Sequence, residues 1–366
     1  MVIPDDNAKL CGTLILGGYV GEQPTESFLS RLGAGHLAGA ILFRRNLPDL
    51  RAGYEAARTI TRVTPSDAPP WIAIDQEGGR VRRLLAPALQ LPPMRKLGGL
   101  GDASLVERAM RTVGYQLAAL GFNLDFAPVL DVDTNPNNPV IGDRSFGRDA
   151  RTVAELGCAA IQGLQSAGIS ACGKHFPGHG DTSVDSHLDL PRVDTSLDRM
   201  RRVELVPFAA AVRCGVDAMM SAHIVCSAVD PQVPATLSRR LMMGLIRGDL
   251  GFEGVVFTDD LEMKAIAGRY GFGDAAVAAI EAGCDVVCIS KDEDAQQQAH
   301  AALVRQCERD ARFRARCEQA ARRSLALRRR RRPAPSATWE AALQTCVGDE
   351  ATALANEVSA RCALDA

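Results

Sequence analysis

No uncharged apolar stretch in this chain approaches the length needed to cross a bilayer as a helix. Charge of one sign is equally scarce. The 42 Lys and Arg against 44 Asp and Glu leave a formal net charge of -2, so no whole-molecule field recruits nucleic acid or an anionic membrane. The local run Arg328 to Arg332 is the exception, and it reads as a solvated helix end ahead of a proline linker. C-x-x-C pairs are missing: the eleven cysteines, an odd number, are scattered from Cys11 to Cys362, many inside apolar stretches such as Gly283 to Cys288. They read as reduced core thiols. The opening text MVIPDDNAKLCG has neither a basic region nor a long apolar one, so the expected location is cytoplasmic. Internal repeats and low-complexity tracts are absent as well.

What is present is an alternation of short apolar runs with longer helical patterns, the signature of a parallel α/β fold. Eight runs qualify as buried strands: Thr13 to Leu16, Ala40 to Phe43, Trp71 to Ile74, Leu124 to Val129, Ile169 to Cys172, Ala218 to Ser221, Val255 to Phe257 and Val286 to Ile289. Helical patterns over Leu105 to Leu120, Ala150 to Ala167, Leu197 to Arg213, Ala275 to Ala282 and Ala295 to Gln306 separate several of them. A doubly wound sheet concentrates its chemistry at one switch point, whereas here polar clusters follow almost every strand. That distribution predicts an α/β fold of the (β/α)8 TIM-barrel type over roughly residues 8 to 330. The expected organisation is a catalytic barrel over 1–332, then a C-terminal extension, 333–366, made of a proline linker and a helical tail.

The densest cluster is KHFPGHGDTSVDSH, residues 174 to 187, which holds three of the six histidines on a Gly/Pro-rich loop. Buried unpaired, such groups cost a few kcal/mol each, about 1–3 by mutational measures, so the segment reads as a site. Asp185 and His187 are one residue apart and, on an extended loop, project the same way; a carboxylate against an imidazole favours its protonated form and makes a general acid/base candidate. The alternative is a loop-stabilising contact. Alternation along Val255, Phe257 and Asp259 turns one of the paired aspartates, Asp259 or Asp260, to the barrel mouth, where a carboxylate serves as nucleophile, cation stabiliser or metal ligand; both capping the next helix is the competing reading. Lys174 and His175 begin their loop at a strand end as donors to ligand hydroxyls, and His179 is either a site residue or a pin for the loop. Asp75, before two glycines, suits an acceptor for neighbouring sugar-type hydroxyls, with Arg83 and Arg144 as donors.

Taken together, the segments Ala73 to Val81, Asn123 to Val129, Pro139 to Gly147, Lys174 to His187, Met220 to His223 and Phe257 to Leu261 resemble glycoside hydrolase family 3, in its single-domain bacterial β-N-acetylglucosaminidase branch of the NagZ type. The resemblance implies a retaining double displacement on terminal β-linked N-acetylglucosamine. It implies Asp259 as nucleophile and His187, assisted by Asp185, as acid/base. Asp75, Arg83, Arg144, Lys174 and His175 match residues that hold the sugar. The implied partner is a carbohydrate, an N-acetylglucosaminyl muropeptide or chitooligosaccharide, with no metal, organic cofactor, nucleic acid or membrane; the oligomeric state is left open. The usual task of that branch is muropeptide trimming in cytoplasmic cell-wall recycling. Rival readings are a glycoside phosphorylase or a broader β-glucosidase/xylosidase on the same barrel, a non-catalytic sugar-binding protein, and a metal-dependent hydrolase liganded by His175, His179, His223 and Asp259. The last normally carries H-x-H on its first strand, which here ends Leu16-Gly17-Gly18-Tyr19.

Overall fold

Each of the eight apolar runs supplies a strand of one closed parallel barrel in the computed structural model, which describes residues 3–182 and 190–363. The barrel strands are β1 (Ile15–Gly17), β2 (Gly39–Leu42), β3 (Trp71–Ile74), β4 (Leu124–Asp125), β5 (Ser170–Phe176), β7 (Ala218–Ser221), β9 (Val255–Asp260) and β10 (Val286–Ile289). They follow one another around the ring, and β10 closes it by pairing with β1 through Val287 opposite Ile15. Two short strands, β6 (Arg192–Val193) and β8 (Val225–Cys226), pair outside the barrel and had no signal in the sequence reading.

The two-residue period of a strand separates two cores. Trp71, Ala73, Leu124, Phe126, Cys172, Val255 and Phe257 point into the barrel, while Ile72, Ile74 and Val256 pack outward against the helices. The Phe257 ring meets Trp71 and Phe126 edge-on at centroid distances of 5.6 and 5.3 Å, so the interior is a packed plug and not a pore. Continuing the same period towards the carboxyl ends brings up Asp75, Lys174 and Asp259. These three therefore stand on the floor of the mouth.

Three sequence expectations are corrected in detail. The strand read over Leu124 to Val129 is regular only over Leu124–Asp125; the Ala127 and Pro128 carbonyls still accept from Cys172 and Lys174, but Pro128 has no N–H to return, and Val129 joins only as an isolated bridge to Lys174. The helix read over Leu197 to Arg213 is two, Leu197–Arg202 and Leu205–Arg213, since Pro207 is tolerated in a first turn but not in a helix interior. The basic run is not simply solvated: it closes the amino-terminal end of the barrel. Carbonyls at the strand starts keep a lone pair there for a further donor. The buried Arg328 donates to the carbonyls of Ala38 and Pro69 at 3.0 and 3.2 Å, and Arg330 and Arg331 pair with Asp217.

Beyond the linker, the helices Trp339–Val347 and Asp349–Ala363 lie on the barrel's own helix Ala103–Leu120. Gln116 Nε2 donates to the Cys346 carbonyl at 3.0 Å, Arg108 makes a bidentate pair with Glu357 at 2.7 and 2.9 Å, and Arg361 meets Asp102 at 2.7 Å.

Candidate active site

A cavity of about 610 Å³ opens at the carboxyl ends of the strands. Asp75 and Glu77 follow β3, Lys174 and His175 end β5, Arg144 comes from the long β4 loop, and Asp259 ends β9. Their charges interlock. Lys174 Nζ lies 2.8 Å from Asp75 Oδ1 and 2.6 Å from Glu77 Oε1, and its side chain is only 2% exposed. Arg144 grips Glu77 with two parallel N–H donors, both at 2.8 Å, while Arg83 reaches Asp75 Oδ2 at 3.2 Å. Arg83 also lies over the Phe43 ring, 5.0 Å from its centroid, which fixes the guanidinium at the edge of the cavity.

Burial alone would raise the carboxyl pKa values of Asp75 and Glu77. Lys174 with Arg83 outweighs it at Asp75, and Arg144 with Lys174 outweighs it at Glu77, so both are held below the ordinary range. Burial likewise pushes Lys174 down, yet Asp75 and Glu77 hold it above its usual value. The cluster is ionised throughout at neutral pH, and oxygen lone pairs beyond those already used remain for ligand hydroxyls.

His175 is oriented from behind. Its Nδ1 is 2.6 Å from Asp131 Oδ2, so Nδ1–H donates to the carboxylate and Nε2 is turned to Arg144 Nη2 at 3.4 Å. Asp131 also accepts the backbone N–H groups of His175 and His179, the latter at 2.6 Å. Burial and the neighbouring His175 lower the pKa of His179 to about 4, and its Nδ1 lies 2.8 Å from Thr182 Oγ1. His179 lines the same cavity while its Nδ1 is tied to Thr182.

Asp259 accepts the N–H of Asp260 at 2.8 Å. Burial pulls its pKa up, but His223, His175, that N–H and Lys174 together hold the carboxyl below its ordinary value. It is an ionised carboxylate facing a cavity. Asp260 differs: burial and the charge of Glu262 raise it to about 7, and it is engaged by Ser290 rather than by the cavity floor.

The family model for the glycosyl hydrolase family 3 N-terminal domain matches residues 16–327. The chain belongs to glycosyl hydrolase family 3. It is 40% identical over 294 residues to a beta-hexosaminidase of Neisseria meningitidis serogroup C, covering 77% of this chain and 79% of that one. A family 3 β-N-acetylglucosaminidase from Paenibacillus sp. str. FPU-7 superposes with a TM-score of 0.89 at 39% identity, over 97% of this chain and 68% of that one. NagZ from Neisseria gonorrhoeae, in complex with N-trifluoroacetyl-D-glucosamine, gives 0.78 at 30% identity, over 98% and 99%. Membership in family 3 makes this protein a glycoside hydrolase.

Within this family 3 barrel, six of the eight residues singled out from sequence line one cavity: Asp75, Arg83, Arg144, Lys174, His175 and Asp259. Asp185 and His187 lie outside the described residues. Sequence reasoning passed over Glu77 and Asp131 as site residues. Glu77 sits two positions after Asp75, on the same alternation, and that spacing was the available signal. Nothing local marked Asp131, whose partner is 44 residues away. Among the described residues no group of three or more His, Cys, Asp or Glu is arranged to hold a metal ion.

Proposed function

We propose that this family 3 hydrolase is a retaining, exo-acting β-N-acetylglucosaminidase. Asp259 attacks the anomeric carbon of a terminal β-linked N-acetylglucosamine and forms a covalent glycosyl-enzyme. His187, assisted by Asp185, protonates the departing oxygen and then activates water. The sugar's hydroxyls meet Asp75, Lys174, Arg83, Arg144 and His175. The observation that carries the reading is the ionised Asp259 carboxylate in one cavity with the interlocked ion pairs of Asp75, Lys174, Arg83 and Arg144. An acceptor-rich, donor-rich floor suits a sugar, and a carboxylate kept ionised suits attack on an oxocarbenium-like centre. The roles of Asp185 and His187 rest on the family resemblance. The similarity to beta-hexosaminidase and NagZ supports N-acetylglucosamine as the sugar. By the same resemblance, the natural task is trimming muropeptides during peptidoglycan recycling in the cytoplasm.

The test compares turnover of aryl β-N-acetylglucosaminide, β-glucoside and β-xyloside, with and without phosphate, for the wild type and Asp259→Asn. The proposal expects selective, phosphate-independent hydrolysis of the first, lost in the variant. Glycosyl phosphate as product would turn the assignment to a phosphorylase. Unchanged turnover by Asp259→Asn would remove the nucleophile.

A further inference from the structure

Asp75, Glu77 and Asp131 each meet a cationic or imidazole nitrogen at 3.2 Å or less, whereas Asp259 makes no ion pair among the described residues. Its counter-charge has to come from behind. His223 is fully buried on the segment that follows β7, and the pairing of Ser221 with Thr258 sets that segment beside the end of β9. Of the influences that oppose burial and keep the Asp259 carboxyl low, His223 is the strongest. The contacts around the ring fix its hydrogens. Nε2 lies 3.0 Å from the Asp260 carbonyl, which accepts and never donates, so Nε2 carries a hydrogen. Nδ1 lies 2.8 Å from Thr236 Oγ1, a hydroxyl with one hydrogen to give. The Ala222 carbonyl, 3.0 Å from Thr236 Oγ1, takes that hydrogen, so Ser221 Oγ at 2.9 Å donates to Thr236 and Nδ1 donates as well. The assignment that satisfies every one of these contacts protonates both ring nitrogens.

We infer that His223 is a buried imidazolium and the positioning residue of Asp259, stabilising that carboxylate as it departs from the sugar in the second half of the double displacement. The inference rests on the glycosidase reading above. In that half, the oxygen of water bonds to the anomeric carbon and the bond from that carbon to Asp259 breaks; the electron pair returns to the carboxylate and the water proton passes to the acid/base. A fixed positive charge behind Asp259 lowers the cost of the returning negative charge. In the first half Asp259 gives up charge as it attacks, so the same cation offers no advantage there. His223 therefore acts on one step of two.

The experiment compares the wild type with His223→Gln, which has an N–H to offer the Asp260 carbonyl but no charge, and with Thr236→Val, which keeps the shape of Thr236 and removes the acceptor of Nδ1–H. In nitrogen-15 spectra of the histidine-labelled wild type at pH 7, a ring with both nitrogens protonated is expected, absent in His223→Gln and shifted in Thr236→Val. The substrate is dinitrophenyl β-N-acetylglucosaminide, whose leaving group needs no acid. In His223→Gln kcat should fall about 10- to 100-fold with KM falling in parallel, so that kcat/KM stays within about threefold of wild type, and Thr236→Val should show a smaller shift of the same kind. Glycosyl-enzyme should accumulate in both variants and be counted by mass spectrometry. A neutral His223 in the wild type overturns the inference, as do wild-type kinetics in both variants. So does a kcat/KM that falls with kcat while no glycosyl-enzyme accumulates, the pattern of a merely structural lesion. Those results leave the glycosidase reading standing, whereas absence of any aryl β-N-acetylglucosaminide turnover by the wild type removes that reading and the inference with it.

Discussion

Glu77 is the keystone of the cavity floor, and replacing it by Gln keeps its shape while deleting its charge. Two cations depend on it: Lys174 Nζ at 2.6 Å and Arg144 through two contacts at 2.8 Å, with Glu77 and Lys174 both 2% exposed. At an effective dielectric of about 20, each contact near 3 Å is worth roughly 5–6 kcal/mol before desolvation is charged against it. After that offset, removing one partner of a buried pair costs about 3–5 kcal/mol, because the other charge stays buried and uncompensated. Lys174 retains Asp75, so the penalty falls mainly on Arg144. Unfolding entropy near 60 °C is about 2.1 cal/mol/K per residue, or roughly 0.8 kcal/mol/K over 366 residues, which converts the penalty to a Tm lower by about 4–6 °C. The depressed carboxyl of Glu77 fixes the sign of the pH dependence. Its contribution is present above the unfolded pKa near 4.5 and is lost as pH falls towards the lower folded value, so wild type and Glu77→Gln should converge in acid. Calorimetry at pH 7 and at the most acid pH at which the fold persists, well below 4.5, measures both effects. A variant within about 1 °C of wild type at pH 7 would refute the view that this carboxylate organises the floor.

Asp260→Asn should stabilise the protein above pH 7. Its folded pKa of about 7 lies above the ordinary carboxyl value, so the ionised group lowers stability progressively as pH rises towards 7; a Tm gain at pH 8 that disappears near pH 4 is expected, and a loss at pH 8 would contradict it. Asp131→Asn removes the charged acceptor behind His175 and should lower kcat/KM on an aryl β-N-acetylglucosaminide by about 10- to 100-fold, from about 1.5–3 kcal/mol for a hydrogen bond to a charged group. Wild-type kinetics in that variant would show that His175 needs no support from Asp131.

Why so much of the barrel was readable follows from its interior. Strands buried on both faces are short, continuous apolar runs, and the one-in, one-out period that places Phe257 in the plug carries Asp259 to the mouth. Trp71 and Ala73 lead to Asp75 by the same step. The pairings among site residues were less legible, because they depend on contacts between distant segments. Arg144 was read as a donor to sugar, yet 67 residues separate it from the Glu77 carboxylate that holds it. The arginine run misled for a related reason: Arg328 has a polar side chain but a buried destination, set by the carbonyls of Ala38, which also accepts from the Trp71 N–H, and of Pro69. Short β6 and β8 carry too few residues for a pattern to emerge.

The central claim is that Asp259 becomes covalently attached to the sugar. The direct measurement is mass spectrometry after incubation with a ring-fluorinated N-acetylglucosaminyl donor whose activated leaving group departs faster than water can release the enzyme. The account predicts a mass increase of one glycosyl unit confined to the peptide carrying Asp259, and none in Asp259→Asn. A label on any other residue, or burst-free turnover with no labelled enzyme at any time, would contradict it.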